Sequence, residues 1–267
     1  MPFWTFYGLG RGLATTSWPG NAASETQPGV LGLPDFAPDR CEENCRACAE
    51  TCLSGAITVQ PSGQGERLAM DYGKCIACQM CTEVCPNVFT PSQNWAFGVR
   101  RREDLEWAEA LNSQPAQELK NNVQKYFKRS LHIRHVDAGS CNGCESELQA
   151  LNNPYYNLHR LGMFFTPSPR FADLLLVTGP VTYAMRGPLL ATYNAMPEPR
   201  WVMAMGTCAV SGGAVGGGYA CAHGLEGILP VDMYLPGCPP NPAAIIHALL
   251  VLVNRAAQIV QDGRHAQ

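Results

Sequence analysis

The sequence predicts an α/β protein: a doubly wound parallel sheet over residues 131–267, preceded by a small, cysteine-rich α+β domain over residues 35–97. Three observations carry that expectation. After residue 130, apolar strand-like runs alternate with helix-like stretches, the pattern of a parallel sheet covered on both faces. Before residue 98, two runs of four cysteines flank a stretch that reads as strand, turn and strand. Between them, residues 98–130 are charged and lack glycine and cysteine after Gly98, which suits a helical linker. At 267 residues the chain exceeds the size usual for one domain, so two modules are expected.

Composition narrows the function classes. Nineteen basic against 22 acidic residues give a net charge of −3, and no segment concentrates the basic ones, so no nucleic-acid footprint is expected. Thirteen cysteines leave a choice between a secreted disulfide framework and intracellular metal or cluster ligation. The opening "MPFWTFYGLGRGLATTSWPG" has no basic n-region, continuous apolar core or twin arginine, so no export signal is expected. The apolar runs "DLLLVTG" and "AAIIHALLVLV" fall short of the roughly 18 residues of a membrane span. These features together predict a soluble or peripheral protein in a reducing compartment.

Residues 1–34 read as an arm. Phe3, Trp4, Phe6, Tyr7, Leu9 and Leu13 make it aromatic-rich, suited to packing on its own domain or, slightly preferred, to lying on a membrane subunit or lipid interface. Residues 20–40, rich in Gly, Pro and small polar side chains, read as an extended loop. Within the linker, Leu105, Ala108 and Leu111, then Leu119, Val123, Tyr126 and Phe127, predict two short helices interrupted by Pro115. Strands are expected at 131–137, 163–168, 172–179, 200–206 and 232–237, and helices at Glu145–Leu151, Ala184–Met196 and Pro242–Gln261.

The two cysteine runs are Cys41-x3-Cys45-x2-Cys48-x3-Cys52 and Cys75-x2-Cys78-x2-Cys81-x3-Cys85-Pro86. The second is the bacterial ferredoxin spacing. In two-cluster ferredoxins the fourth cysteine of each run crosses to the other cluster. By that rule Cys41, Cys45, Cys48 and Cys85 hold one 4Fe-4S cluster, and Cys75, Cys78, Cys81 and Cys52 a second. Zinc sites pair C-x2-C knuckles instead of packing four cysteines so tightly. The first run departs from the pattern, with one extra residue after Cys41 and Leu53 where a proline normally follows, so its cluster type is the least defined.

Ligands in an open wound sheet gather outside the carboxyl ends of its strands. Cys141 and Cys144 follow the first expected strand, Cys208 follows "RWVMAMG" and Cys238 follows "DMYLPG". Four thiolates at one sheet edge are the number a cubane needs. The loops "GTCAVSGGAVGGG" and "PGCPPNP" are filled with Gly and Pro, which give room and stiffness around a bulky inorganic group. Any one cysteine alone reads as a buried small hydrophobe, as Cys221 does here.

Glu145 and Glu147 adjoin this third group as candidate proton carriers. For Glu145 the favoured reading is an acidic group in the first turn of a helix. The six histidines are scattered singly, and "GGAVGGG" abuts Cys208 without the acidic partner of a dinucleotide site, so no catalytic residue is expected.

"SCNGCESEL", "MGTCAVSGG" and "PVDMYLPGCPPNP" resemble the cluster-bearing small subunit of NiFe hydrogenases, above all the membrane-bound group 4 enzymes of formate hydrogenlyase type. They are also similar to the terminal-cluster subunit of respiratory complex I. Residues 1–107 resemble the two-cluster ferredoxin subunit of the same assemblies, here fused to the first part. Complex I subunits place two ligands as adjacent cysteines, whereas Cys141-Asn142-Gly143-Cys144 is the hydrogenase arrangement. The resemblance implies a flavodoxin-like sheet and a non-catalytic electron-transfer subunit with three 4Fe-4S clusters, the one on Cys141, Cys144, Cys208 and Cys238 being proximal to a separate NiFe large subunit. It implies further partners: membrane subunits, and an upstream formate or carbon monoxide dehydrogenase module or ferredoxin. The implied location is the inner face of the cell membrane. The alternatives are a complex-I-like quinone- or sulfur-linked oxidoreductase subunit and a stand-alone ferredoxin-type carrier.

Overall fold

The computed structural model of the chain describes residues 3–11, 32–41, 45–62, 65–107 and 130–265. A first helix, α1 (Phe3–Arg11), exposes Phe6, Tyr7 and Leu9. In the cysteine-rich half, β1 (Asp35–Phe36) pairs antiparallel with β4 (Phe89–Thr90), and Phe36 stacks on Phe89 with ring centroids 4.9 Å apart. The stretch between the cysteine runs forms a hairpin of β2 (Ile57–Ser62) and β3 (Gly65–Met70). Each run also carries one helical turn, α2 (Ala47–Thr51) and α3 (Met80–Val84).

The second half is a five-stranded parallel sheet. Its strands are β5 (Leu131–Asp137), β6 (Met163–Phe165), β7 (Leu174–Thr178), β8 (Trp201–Met205) and β9 (Met233–Leu235). Their spatial order is β6-β5-β7-β8-β9, which is the flavodoxin-like order with its switch point between β5 and β7. Helices α4 (Gly143–Ala150), α5 (Tyr183–Asn194), α6 (Thr207–Ser211) and α7 (Pro242–Leu252) complete it. Alternate strand residues serve two cores. Leu174, Leu176, Met203, Met205, Met233 and Leu235 pack with α7, whereas Leu175, Val177, Val202, Ala204 and Tyr234 share a cluster with Tyr72, Phe97 and Val99. Both faces are dry, which is why β7 and β8 read as unbroken apolar runs.

Residues 98–107 bind the halves together. Val99 exchanges two backbone hydrogen bonds with Tyr234 (2.9 and 2.7 Å), adding an antiparallel bridge at the β9 edge. The Arg100 guanidinium donates to the Val251 carbonyl and Asn254 Oδ1 at the end of α7. Where helical spacing predicts a helix from residue 105, the chain makes a 3-10 turn, Arg102–Leu105. Trp107 N–H then bonds the Met70 carbonyl at 2.8 Å, so pairing with the hairpin end draws the backbone out of helical form. The rest of the two short helices expected in the linker falls on residues 108–129, which lie outside the described residues.

The last helix is shorter than its apolar pattern implies. Asn241 caps α7 by accepting from Ala244 N–H at 2.7 Å, with Pro242 at the first position, but the helix stops at Leu252 and does not reach Gln261. Asn254 turns left-handed (φ 59°), and Arg255 N–H reaches back to the Leu250 carbonyl at 2.8 Å. The chain then forms a hairpin, β10 (Val260–Gln261) and β11 (Arg264–His265), around Asp262-Gly263, both at positive φ as this tight turn requires.

A Cβ at Gly98 would sit 2.7 Å from the Ala248 Cβ on α7. Gly98→Val is therefore expected to destabilise the joined halves by about 1–3 kcal/mol, the usual cost of overpacking. The denaturant midpoint of the full chain reads this, and an unchanged midpoint would show the seam to be loose.

Candidate metal centres

Three groups of thiols emerge from this framework. Cys141 and Cys144 lie just beyond β5, Cys208 on α6 just beyond β8, and Cys238 just beyond β9, all at the carboxyl edge of the sheet. Burial first, then Glu145, then Cys208, Cys141 and Cys238 push the Cys144 thiol up to about 12. Burial, then Cys238 and Cys141, lift Cys208 to about 11, and burial followed by Cys141 raises Cys238. Cys144, Cys208 and Cys238 are thus each shifted in part by other thiols of this edge. Cys141 and Cys238 are exposed, so the group opens to the surface.

In the cysteine-rich half, neighbours cross between the runs. The Cys48 thiol is raised to about 12 by burial, then by Cys85 and Cys41. Cys45 packs against the same buried core. Cys75 is raised to about 12, chiefly by burial and also by Cys81, Cys52 and Cys78, and Cys81 to about 11 by burial, Cys78 and Cys52. Cys221 is buried and its thiol meets the Val215 carbonyl at 3.1 Å, though it also contributes to the shift of Cys208.

The backbone around these thiols is shaped for them. Ala77 (φ 56°) and Gln79 (φ 63°), between the cysteines of the second run, and Asn142 (φ 72°), between Cys141 and Cys144, adopt left-handed conformations unusual for side-chain-bearing residues. One result is that Ala77 N–H points at Cys75 Sγ, 3.4 Å away. Gly206 (φ +85°) is more constrained still: a Cβ there would stand 2.6 Å from Cys144 Sγ. At Gly213 (φ +61°) a Cβ would come within 3.0 Å of Cys208 Sγ.

Glu145 is tied on both oxygens. Ser140 Oγ donates to Oε2 at 2.7 Å, and Thr178 Oγ1 donates to Oε1. His135 Nε2 lies 2.9 Å from Thr178 Oγ1 and 3.5 Å from Glu145 Oε1, and burial lowers its pKa. Glu145 therefore anchors the start of α4 to the ends of β5 and β7. Burial shifts the Glu147 carboxyl upward from its ordinary value. His135, Thr178 and Thr207 were not singled out by sequence; their only signal is position at or beside a strand end.

Among the described residues no three His, Cys, Asp or Glu side chains converge tightly enough to hold a single metal ion. The thiol groups are looser than a mononuclear site. Soft thiol donors gathered from separate loops, with glycines leaving room beside Cys144 and Cys208 and the Ala77 N–H facing Cys75 Sγ, are of the chemistry that suits an iron–sulfur cluster. A larger cavity of about 670 Å³ beneath the hairpin, beside Lys74, Arg101 and Trp107, is lined by no cysteine.

Residues 141–252 match the family of the NADH ubiquinone oxidoreductase 20 kDa subunit, and residues 40–88 match the 4Fe-4S dicluster domain. Two successive segments of the chain thus resemble two different families. Formate hydrogenlyase subunit 7 of Escherichia coli (strain K12) is 41% identical over 140 residues, 52% of this chain and 55% of that protein. The chain spans about half the length of this curated relative. Among solved structures, a chain of the membrane-bound sulfane sulfur reductase, an archaeal respiratory membrane complex, is 33% identical over 53% of this chain and 79% of that one (TM-score 0.44). A chain of an NAD+-reducing [NiFe]-hydrogenase is 22% identical over 49% of this chain and 94% of that one (TM-score 0.40). No described helix is long and apolar enough to cross a membrane.

Gly206→Ala tests the cradle. The added methyl collides with Cys144 Sγ and strains a positive φ, so the variant is expected to lose the iron of this group alone. Iron content after anaerobic purification, compared with wild type, measures it; full retention would contradict the cradle.

Proposed function

We propose that the chain is the electron-transfer subunit of a membrane-associated NiFe hydrogenase complex, with three 4Fe-4S clusters and no catalytic residue of its own. Cys41, Cys45, Cys48 and Cys85 hold the first cluster, Cys52, Cys75, Cys78 and Cys81 the second, and Cys141, Cys144, Cys208 and Cys238 the third. A bound cluster supplies a one-electron couple whose potential depends on burial and hydrogen bonds to sulfur. The chain's residues do the rest. Gly206 and Gly213 leave room beside Cys144 and Cys208, Ala77 N–H faces Cys75 Sγ, and Glu145 holds the α4 start in place through Ser140 and Thr178.

The carrying observation is the meeting of Cys141, Cys144, Cys208 and Cys238 at one sheet edge, inside the segment that matches the 20 kDa subunit family. The name of the 41% identical relative, a formate hydrogenlyase subunit, supports hydrogen chemistry, as does the two-residue gap between Cys141 and Cys144. The loop that follows Cys208 forms a rim in which Tyr219 is fully exposed and Val215 uncovered, with exposed Tyr183 bonded to it through the Ala220 carbonyl. That rim suits a large subunit carrying nickel and iron. The opposite, cysteine-rich half would then take electrons from, or give them to, a formate or carbon monoxide dehydrogenase module or ferredoxin. Membrane subunits would hold the assembly at the inner face of the cell membrane.

Co-expression with a large subunit that carries C-x2-C pairs at both ends tests the reading. The complex is expected to oxidise hydrogen with a dye acceptor, and Cys208→Ala to reduce that turnover to background while the paramagnetic signals of the other two centres persist. Turnover of quinone or sulfur without hydrogen would instead favour the complex-I-like reading. Tyr219→Asp is expected to weaken retention of the large subunit about tenfold or more, the scale of a lost aromatic anchor; unchanged co-purification would place the interface elsewhere.

A further inference from the structure

A single hydroxyl joins two of the thiol groups. Thr207 opens α6 and is 1% exposed. Its Oγ1 donates to the Cys75 carbonyl at 2.9 Å and accepts from Gly237 N–H at 3.1 Å, in buried surroundings. Its own N–H donates to the Gly237 carbonyl at 2.9 Å. Cys208 follows Thr207 directly and Cys238 follows Gly237, so this side chain touches the backbone of one group and belongs to the backbone of the other. Residues 132 apart in sequence are clamped at that point.

The neighbouring part of the seam is less tightly filled. A cavity of about 100 Å³ separates Ala77, Leu33 and Trp95 from the Pro236–Asn241 loop. Ala77 belongs to the Cys75–Cys81 turn and Cys238 to the facing loop, so the two thiol-bearing turns face each other partly across empty space. Nothing there but the Thr207 hydroxyl is seen to bond the Cys75 backbone to the Cys208 and Cys238 loops among the described residues. A buried hydroxyl with both its donor and acceptor satisfied fixes spacing and orientation in a way that apolar contact alone does not.

We infer that Thr207 is a positioning residue, whose hydroxyl sets the separation between the Cys52, Cys75, Cys78 and Cys81 group and the Cys141, Cys144, Cys208 and Cys238 group. The inference rests on the proposed cluster-bearing function. Electron exchange between two centres falls steeply with distance, so a slackened clamp slows transfer across this seam without altering either ligand set.

The test uses the anaerobically purified, dithionite-reduced full chain as wild type, Thr207→Val and Thr207→Ser. Iron and sulfide are measured first, then the magnetic splitting between reduced centres by electron paramagnetic resonance. Wild type is expected to show the splitting, Thr207→Val to keep its iron but lose or narrow it, and Thr207→Ser to retain it. Wild-type splitting in an iron-replete Thr207→Val overturns the inference while leaving the proposed function standing. Should the valine variant not accumulate, Thr207→Ala replaces it: loss in Ala with retention in Ser supports the clamp, and equal behaviour of Ala and Ser overturns it. Absence of iron from the wild type would overturn the functional reading, and the inference with it.

Discussion

Crowding thiols away from water is the constraint on which the rest of the molecule depends. Burial and mutual repulsion disfavour the thiolate at Cys48, Cys75, Cys144 and Cys208, as their raised pKa values record. Apolar packing alone gains nothing from gathering such groups. A positively charged metal core reverses the sign, because it replaces several protons and satisfies several sulfurs together. The positive-φ backbone at Ala77, Gln79 and Asn142 is local strain kept at the cysteine turns, and Gly206 supplies the room that a side chain would fill.

The same constraint explains why the two halves are not independent beads. The apolar cluster beneath Cys48, Cys75 and Cys85 continues into Val136, Leu175 and Val177 of the sheet. Val99 pairs with Tyr234, and Arg100 reaches the end of α7. A rigid seam holds one thiol group at a set place relative to another, which flexible tethering does not do. Parallel strands contribute by delivering three separate loops to a single edge.

Much of this was legible from the residues. β5 coincides with the strand expected at 131–137, and the alternation of strands and helices after residue 130 announces the parallel sheet, with both faces of β7 and β8 buried. The cysteines after three strand ends point to a common edge because chain direction in a parallel sheet brings those ends together. What was not legible is non-local. Nothing in "WAFGVRRRED" says that Val99 will bridge to a residue 135 positions later, nor that Trp107 will pair with Met70 and end the helical pattern. The early stop of α7 had a signal in Asp262-Gly263, a hairpin turn outweighed by the long apolar run before it. Thr207 carries no signal beyond its place after a strand end, since a threonine before a cysteine is unremarked until the Cys75 carbonyl appears beside it.

Metal content of the whole chain bears most directly on the claim that its thiol groups are cluster sites. Anaerobic purification followed by iron and acid-labile sulfide determination should return about twelve of each per chain, four for every cubane. Bound zinc, or iron and sulfide sufficient for only one cluster, would contradict it.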